Sequence, residues 1–431
     1  MRSVRVITLG CSKNTVDTEH LLAQLPADEF RIVPGDEPVD LLLVNTCGFI
    51  GDAKEESIGV ILDAVEAKKA GEVGRIVVFG CLSQRYSAEL PSENPEVDAW
   101  FGARDLDPVL KYLGVTPGPY VSRYVPSRKG YAYLKISEGC DRRCSYCAIP
   151  HIRGAHRSVP MEAVLQEASA LAASGVRELI LIAQDTTYYG LDLYGRRALA
   201  ELISRLSEVP GIEWIRIHYS YPADFPQDVL DQMASNPKVC KYLDIPLQHI
   251  SDSVLDKMHR HVDGAWTREL ISRLREQVSG VVLRTTMIVG HPGEGEAEFE
   301  ELLDFVRSAR FERLGAFTYS EEEGTWGALH LPDDVPADVK DDRYARLMSE
   351  QNAVSLSFNE SRVGSVERVM VDDVVDGTLV CRSQYESPEV DGEILVRGWT
   401  GPAPIGEFID VRITAAGDYD LQAVYLTSSI S

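Results

Sequence analysis

The sequence predicts an α/β fold in three parts, and three observations predict it. Short apolar runs alternate with helical stretches from the first residue to about residue 320, the pattern of parallel strands joined by crossover helices. A stretch holding Pro117, Gly118, Pro119, Pro126 and Gly130 interrupts that alternation and reads as a linker. From about Phe358 the helices give way to short β-like runs punctuated by Gly377, Gly392 and Gly406. The expected architecture is an amino-terminal parallel-sheet α/β domain over 1–125 and a central partial (βα)6 barrel over 126–357. A small antiparallel, OB-like β-barrel completes it over 358–431.

In the first part, strands are expected at Val4–Leu9, Leu41–Val44 and Arg75–Phe79. Thr15–Leu25 has helical spacing, with Asp17 and Glu19 in its first turn. Asp52–Ala70 is a second helix, with Ile58, Ile61, Leu62 and Val65 on one face and Gly71 to stop it. In the second part, strands are expected at Tyr131–Ser137, Glu178–Ala183, Trp214–Tyr219, Tyr242–Ile245, Val281–Val289 and Leu314–Tyr319. Helices fall between them, among them Pro160–Ala173 and Glu294–Ala309. Asp333–Asn359 reads as a polar helical connector. Ser365–Val371, Thr378–Arg382, Gly392–Val396 and Phe408–Ala415 are the strands of the last part.

The formal charge of −24 disfavours extended contact with phosphate backbones and favours a basic partner. Phe358–Ser431 carries thirteen Asp or Glu against five Arg, an acidic balance unlike that of a small barrel built to hold RNA. Met1–Val6 runs straight into a strand without the pattern of a signal peptide. No run of about eighteen apolar residues suggests a membrane span. Eight cysteines without a dense pairing pattern fit a reducing cytoplasm.

Six of those cysteines form two sets. Cys140, Cys144 and Cys147 stand at C-x3-C-x2-C just after a β-like run. Three thiolates on a 4Fe–4S cubane leave one iron open, and the amine and carboxylate of S-adenosylmethionine can chelate it. A structural zinc loop is the other reading, but zinc asks for a second C-x2-C pair that the chain lacks. Cys11, Cys47 and Cys81 each follow one of the first three strands, within about two residues of its carboxyl end. In a parallel sheet those ends share one edge. The three can therefore meet around a second cluster, or they can be three buried thiols packed as small hydrophobes. Cys240, placed before the fourth barrel strand, and Cys381 read as packed thiols.

The loops after the barrel strands hold Gln184–Asp185, Ser220–Tyr221, Gln248–His249, Gly290–Glu294 and Ser320–Glu321, where such barrels carry their chemistry. His218 and His249 read as lining a pocket rather than as metal ligands, since no partner spacing supports ligation. Arg142 and Arg143 can face a cofactor or solvent, and spacing does not separate the two.

The words Gly10–Cys11–Ser12–Lys13–Asn14, Asn45–Thr46–Cys47–Gly48–Phe49, Gly80–Cys81–Leu82, Glu138–Gly139–Cys140 and Cys147–Ala148–Ile149–Pro150 carry a resemblance. So do Ala183–Gln184–Asp185–Thr186, His218–Tyr219–Ser220–Tyr221–Pro222, Pro246–Leu247–Gln248–His249 and Gly290–His291–Pro292–Gly293–Glu294. Nearly end to end, the chain resembles the radical-SAM methylthiotransferases, with their amino-terminal domain, barrel and carboxy-terminal TRAM domain. Ser12–Lys13 and Gln184–Asp185 are similar to the ribosomal-protein aspartate branch, RimO-type, rather than the tRNA branch. Where the family runs to Arg-Ser-Arg, this chain has Arg157–Ser158–Val159, so the role of a second arginine there is open, while Arg153 and Arg157 remain.

The resemblance implies two 4Fe–4S clusters, with S-adenosyl-L-methionine as radical source and methyl donor. Cys140, Cys144 and Cys147 would be the catalytic set holding the cluster that binds S-adenosylmethionine, and Cys11, Cys47 and Cys81 would hold the auxiliary cluster. Tyr146, Gln184, Asp185, Gly290, Pro292, Gly293 and Glu294 would shape the cofactor pocket. The implied substrate is an aspartate of ribosomal small-subunit protein twelve, a basic protein docked on the acidic TRAM surface. Its β-carbon hydrogen is too weakly acidic for ordinary base removal, so a hydrogen atom must be abstracted. A low-potential electron donor such as flavodoxin or ferredoxin is implied. A monomer with no membrane contact and no stable nucleic-acid binding is expected. The competing readings are a tRNA 2-methylthioadenosine synthase and a non-enzymatic iron–sulfur redox or sulfur-carrier protein.

Overall fold

The computed structural model describes residues 1–35, 37–125 and 129–426. Pro126 of the linker, the first residue of the expected barrel domain, and residues 427–431 of the last domain lie outside the described residues.

Five strands build the first sheet: β1 (Arg2–Thr8), β2 (Phe30–Ile32), β3 (Val39–Thr46), β4 (Val73–Gly80) and β5 (Ala99–Trp100). Their order is β2-β1-β3-β4-β5 and all pairings are parallel. β2 and β5, too short to show a period, were absent from the expected set. Buried apolar clusters cover both faces, one around Leu43 and Phe79, the other around Val44 and Ile76. The helix Gly51–Lys69 buries Ile61 and Val65, but Ile58 and Leu62 are exposed, so the expected four-residue face is narrower. The helix Ser12–Ala23 begins three residues earlier than the spacing suggested, which removes Asp17 and Glu19 from its first turn. Asp17 pairs instead with Lys135 and Arg153 of the second domain, and Glu19 with Arg123 of the segment that leads to it.

That domain holds β6 (Tyr131–Lys135), the two-residue strands β7 (Ser137–Glu138) and β8 (Arg157–Ser158), then β9 (Glu178–Ile182), β10 (Trp214–Ile217), β11 (Val239–Asp244), β12 (Val282–Val289) and β13 (Arg313–Thr318). Six of them form one parallel sheet in sequence order, β6 to β13, which stays open between its edges. This is the expected partial (βα)6 barrel. Cys240 lies within β11, not before it, and is fully buried. Helices cover the outside of the barrel and form with the strands the largest apolar core. The helix Ser12–Ala23 lies along the open edge at β6, where Val16 joins Tyr131 and Tyr133 in one cluster.

The helix Ala337–Ser361 leads to a closed barrel of β14 (Val366–Val375), β15 (Thr378–Arg382), β16 (Ile394–Arg397), β17 (Phe408–Ala416) and β18 (Leu421–Tyr425). Closure requires β18, which sequence reading missed, and β16 pairs with it in parallel. The barrel is therefore not wholly antiparallel. Its 383–391 loop enters the larger barrel. Buried Glu386 pairs with Arg313 at 3.0 Å and with Arg362, Ser387 Oγ lies 3.0 Å from His218 Nε2, and Asp391 accepts from Tyr242 at 2.7 Å. Part of the acidic excess of this domain is thus spent inside the protein. Asp373, Asp376, Glu393, Asp410, Asp418 and Asp420 remain exposed.

Candidate active site

Three loops at the carboxyl ends of β1, β3 and β4 carry Cys11, Cys47 and Cys81, and Asn14 ties them together. Its Nδ2 donates to Leu9 O at 2.8 Å and to Thr46 O at 3.1 Å, and its Oδ1 lies 3.8 Å from Cys81 Sγ. Asn14 is fully buried, so these partners replace water. Gly10 lies against Cys47. A Cβ there would stand 2.9 Å from the Cys47 sulfur, and the residue has φ +89°, so only glycine allows this approach.

The donor chemistry fits a cluster better than a single ion. Among the described residues no three His, Cys, Asp or Glu side chains converge as the ligands of one metal ion would. A cubane asks for a wider set, since each thiolate binds a different iron. Burial raises the thiols of Cys47, Cys81 and Cys140, the last two to about 12, and raises Cys147 further. Cys11 is exposed at the surface, yet the groups around its sulfur strip it of some water; Lys13 and Arg153 outweigh that and hold the thiol below its ordinary value. Metal binding to such buried thiols must displace protons, which couples it to pH.

The second trio follows β7. Gly139 (φ +76°) opens the loop, and Cys140 N donates to Gly154 O at 3.1 Å. Ser145 N donates to Met258 O at 3.0 Å, and Ser145 O accepts from Gly327 N at 2.7 Å. Arg260, which no motif flagged, is buried beside this loop. Its Nη1 stands 3.4 Å from both Cys144 Sγ and Tyr146 Oη. Arg142, left open by the sequence, pairs with Asp185 at 2.7 Å and lies over the Tyr221 ring at 4.1 Å. Arg143 and Arg157 are exposed.

Glu138 and Arg153 bridge the two trios. Arg153 donates through Nε to Cys81 Sγ at 3.3 Å, through Nη1 to Asp17 at 2.7 Å and Glu138 at 3.2 Å, and through Nη2 to Asn14 at 2.5 Å. Glu138 also accepts from Lys135 at 2.8 Å and from Gln184 Nε2 at 2.9 Å. Burial would raise its carboxyl, but Lys135 and Arg153 bring it down to about 2. Glu138 opens the word Glu138–Gly139–Cys140, and nothing in its spacing gives it a role. Its partners Arg153 and Gln184 lie too far along the chain to be read from spacing.

Around the Cys140–Cys147 loop, several buried polar atoms have no hydrogen-bond partner among the described residues: Arg142 Nη2, Ser145 Oγ, Gln184 Oε1 and His291 Nε2. Unpaired buried groups are costly, and these suit a polar ligand such as S-adenosylmethionine. Tyr146 meets His291 edge-on at 6.4 Å. Gly290, Pro292 and Gly293 form the turn after β12. Glu294 faces inward, accepting from Gly290 N at 2.9 Å and from Arg343 at 2.9 Å, and standing 3.3 Å from His249. It holds this turn closed. His218 is turned toward Ser387 of the small barrel, and burial depresses it to about 3.

Three family models match: "Radical SAM superfamily" over 134–306, "Uncharacterized protein family UPF0004" over 3–102 and "TRAM domain" over 363–426. The chain is 51% identical over 425 residues to the ribosomal protein uS12 methylthiotransferase RimO of Porphyromonas gingivalis, covering 97% of this chain and 98% of that one. It is 48% identical to the protein of that name from Phocaeicola vulgatus, covering 98% and 99%. Among solved structures, the radical S-adenosylmethionine methyltransferase TsrM of Kitasatospora setae aligns over 73% of each chain, with a TM-score of 0.55 at 15% identity, a likeness of fold alone. Radical-SAM membership implies a 4Fe–4S cluster and S-adenosylmethionine. No helix among the described residues is long and apolar enough to cross a membrane. With two such relatives matched along nearly their whole length, the chain belongs to the radical-SAM methylthiotransferase family, in the branch of the ribosomal protein uS12 enzymes.

Proposed function

We propose that the protein attaches a methylthio group to the β-carbon of an aspartate in ribosomal small-subunit protein twelve, in the cytoplasm, as a monomer fed by a low-potential donor such as flavodoxin or ferredoxin. The observation that carries the reading is the pair of cysteine trios, one in each of two domains, joined through Arg153 and Glu138. The domains are divided at 1–125, 126–357 and 358–431. Cys140, Cys144 and Cys147 would hold one 4Fe–4S cluster and Cys11, Cys47 and Cys81 the other. Bound there with S-adenosylmethionine, the first supplies one-electron cleavage of the sulfonium and the second supplies the sulfur, and a further S-adenosylmethionine supplies the methyl.

The chain's own residues hold and shield these parts. Arg260 places a fixed positive charge at Cys144, where thiolate charge gathers. Arg142 and Asp185 fix the loop against the Tyr221 ring. Tyr146, Gln184, Asp185 and the Gly290, Pro292, Gly293 and Glu294 turn form the pocket for S-adenosylmethionine, with Gln184 oriented by Glu138. The helix Ser12–Ala23 packs along the open edge of the barrel at β6, and the 383–391 loop is tied into its interior by Arg216, which donates to Gln384 O at 2.8 Å. The exposed acids of the small barrel suit a basic protein partner.

Intact-mass measurement of the ribosomal protein, with and without the reconstituted enzyme, tests the reading. A mass gain matching one methylthio group is expected. A 2-methylthioadenosine in tRNA with unmodified ribosomal protein overturns it. Cys144→Ala is expected to abolish 5′-deoxyadenosine formation, and Cys47→Ala to spare it while stopping transfer. Full transfer by Cys47→Ala overturns the second trio's role.

A further inference from the structure

A cavity of about 330 Å³ opens where the larger barrel, the helix Ala337–Ser361 and the small barrel meet. Arg313 and Gly315 of β13, Gln351 of the helix, and Asp391, Tyr419 and Asp420 from loops of the small barrel line it. β13 is an edge strand of the open sheet, so one row of its backbone N–H and C=O groups has no strand beside it. Leu314 and Ala316 point into the apolar core under the helices, which leaves Arg313, Gly315 and Phe317 on the opposite, inner face. A Cβ on Gly315 would meet no atom within 4 Å. Phe317 is 55% exposed and pairs in register with Ile288, two residues before Gly290 of the cofactor turn. From Arg313 to Phe317 the inner face of β13 leads from the cavity toward that turn over about 13 Å.

Two side chains of the cavity wall lack partners. Arg313 (5% exposed) and Gln351 (1% exposed) are buried, yet Arg313 Nε and Gln351 Oε1 have no hydrogen-bond partner among the described residues. The Gln351 amide is fixed in this sense, because its Nε2 donates to Phe311 O at 2.9 Å. Charge is already balanced there: Arg313 pairs with Glu386 at 3.0 Å, and Arg284, also in the wall, with Asp244 at 2.7 Å. What is missing is one acceptor for Arg313 Nε and one donor for Gln351 Oε1. An anion would set its lone pairs against the Gln351 oxygen, and a cation would face Arg313. A neutral amide brings both an acceptor and a donor, and unpaired buried groups are costly enough to favour it. The rim is acidic. Asp420 is exposed, Glu393 N donates to its Oδ1 at 2.9 Å, and Asp418 O accepts from Ser355 of the wall at 2.6 Å. The carboxylates of Glu393, Asp418 and Asp420 are exposed and have no ion-pair partner among the described residues.

We propose that this cavity takes the backbone of the substrate polypeptide, so that a segment of the basic ribosomal protein enters along the edge of β13 and brings its aspartate to the trios from that side. The proposal rests on the function proposed above and names the entrance by which that substrate reaches the site. Peptide units supply the missing acceptor and donor, and the free edge of β13 pairs with an extended segment. The acids at the rim suit a basic chain. RNA would bring phosphates to the same acids and be repelled.

Two variants of the full-length, reconstituted enzyme test this with purified ribosomal protein uS12. Gly315→Leu fills the cavity from a strand position that does not require glycine's backbone angles. Its dissociation constant for labelled uS12, read by fluorescence anisotropy, is expected to rise about tenfold or more, while its melting temperature stays near that of the wild type. Tyr419, on the cavity wall and 48% exposed, is replaced in the second variant by the photo-cross-linker p-benzoylphenylalanine. It is expected to cross-link uS12 through a peptide that holds or adjoins the modified aspartate. The same replacement at Tyr112, 40% exposed on the first domain, is expected to give no such product. If Gly315→Leu folds and binds uS12 as tightly as the wild type, or if Tyr419 cross-links no more than Tyr112, the cavity holds only water. Either result overturns the entrance and leaves the proposed function standing wherever the wild type still methylthiolates uS12. Should Gly315→Leu fail to fold, the Tyr419 cross-link decides alone. A wild type that neither binds nor modifies uS12 overturns the proposed function, and this inference with it.

Discussion

The Arg153 guanidinium donates to the Cys81 sulfur at 3.3 Å while its other nitrogens engage Asp17, Glu138 and Asn14. One buried side chain thus touches a cysteine of the first domain and Glu138, two residues before the first cysteine of the second.

Removing that guanidinium leaves Asp17 buried with Lys135 alone. Breaking a buried pair on one side costs about 3–5 kcal/mol. Arg153→Met is expected to lower stability by that order and to reduce retention of iron at the Cys11 trio. Arg153→Lys keeps the charge but not the fork, and should fall between. Denaturant unfolding and iron content check both.

This residue also marks where sequence reading stops. The Cys140–Cys147 trio is legible because its spacing is local, and the Cys11, Cys47 and Cys81 trio because each cysteine repeats one topological position. Arg153 reaches Asn14, Asp17 and Cys81, Glu138 reaches Gln184, and Arg260 reaches Cys144, all partners distant in sequence that no period or motif encodes. β18 was missed because Leu421–Tyr425 is short and alternates weakly, although without it the small barrel does not close. Glu294 sits in a glycine-rich turn that reads as cofactor-facing, yet its carboxylate faces inward to Gly290 and Arg343. A carboxylate's direction is set by packing that the sequence does not display.

Gly139 offers a second test, on the backbone alone. It has φ +76°, and a Cβ there would stand 2.1 Å from the Ala155 carbonyl oxygen. The left-handed conformation costs a non-glycine residue about 1–2 kcal/mol, and the clash is with backbone, which cannot rotate away. Gly139→Ala is expected to displace the Cys140 loop. Iron bound at that trio and 5′-deoxyadenosine formation should both fall sharply. Gly377→Ala, at φ +77° but with no atom within 4 Å, should leave iron content unchanged.

Acid should loosen the joint between the two barrels. Burial alone would raise the Glu386 carboxyl, but Arg362 and Arg313 outweigh it and bring it to about 2, against an ordinary 4.5. The folded state therefore binds this proton less readily than the unfolded chain. The stabilisation is complete above pH 4.5 and is lost as pH falls from there through about 2. Each unit is worth about 1.4 kcal/mol, giving on the order of 3 kcal/mol across that window. Glu386→Gln lacks the titrating group and leaves Arg313 and Arg362 without its charge. Its melting temperature should lie below that of the wild type at pH 7, and the gap should narrow as pH drops from 4.5 toward 2. A gap that stays constant across the window would mean that the Glu386 charge does not hold the 383–391 loop in the larger barrel.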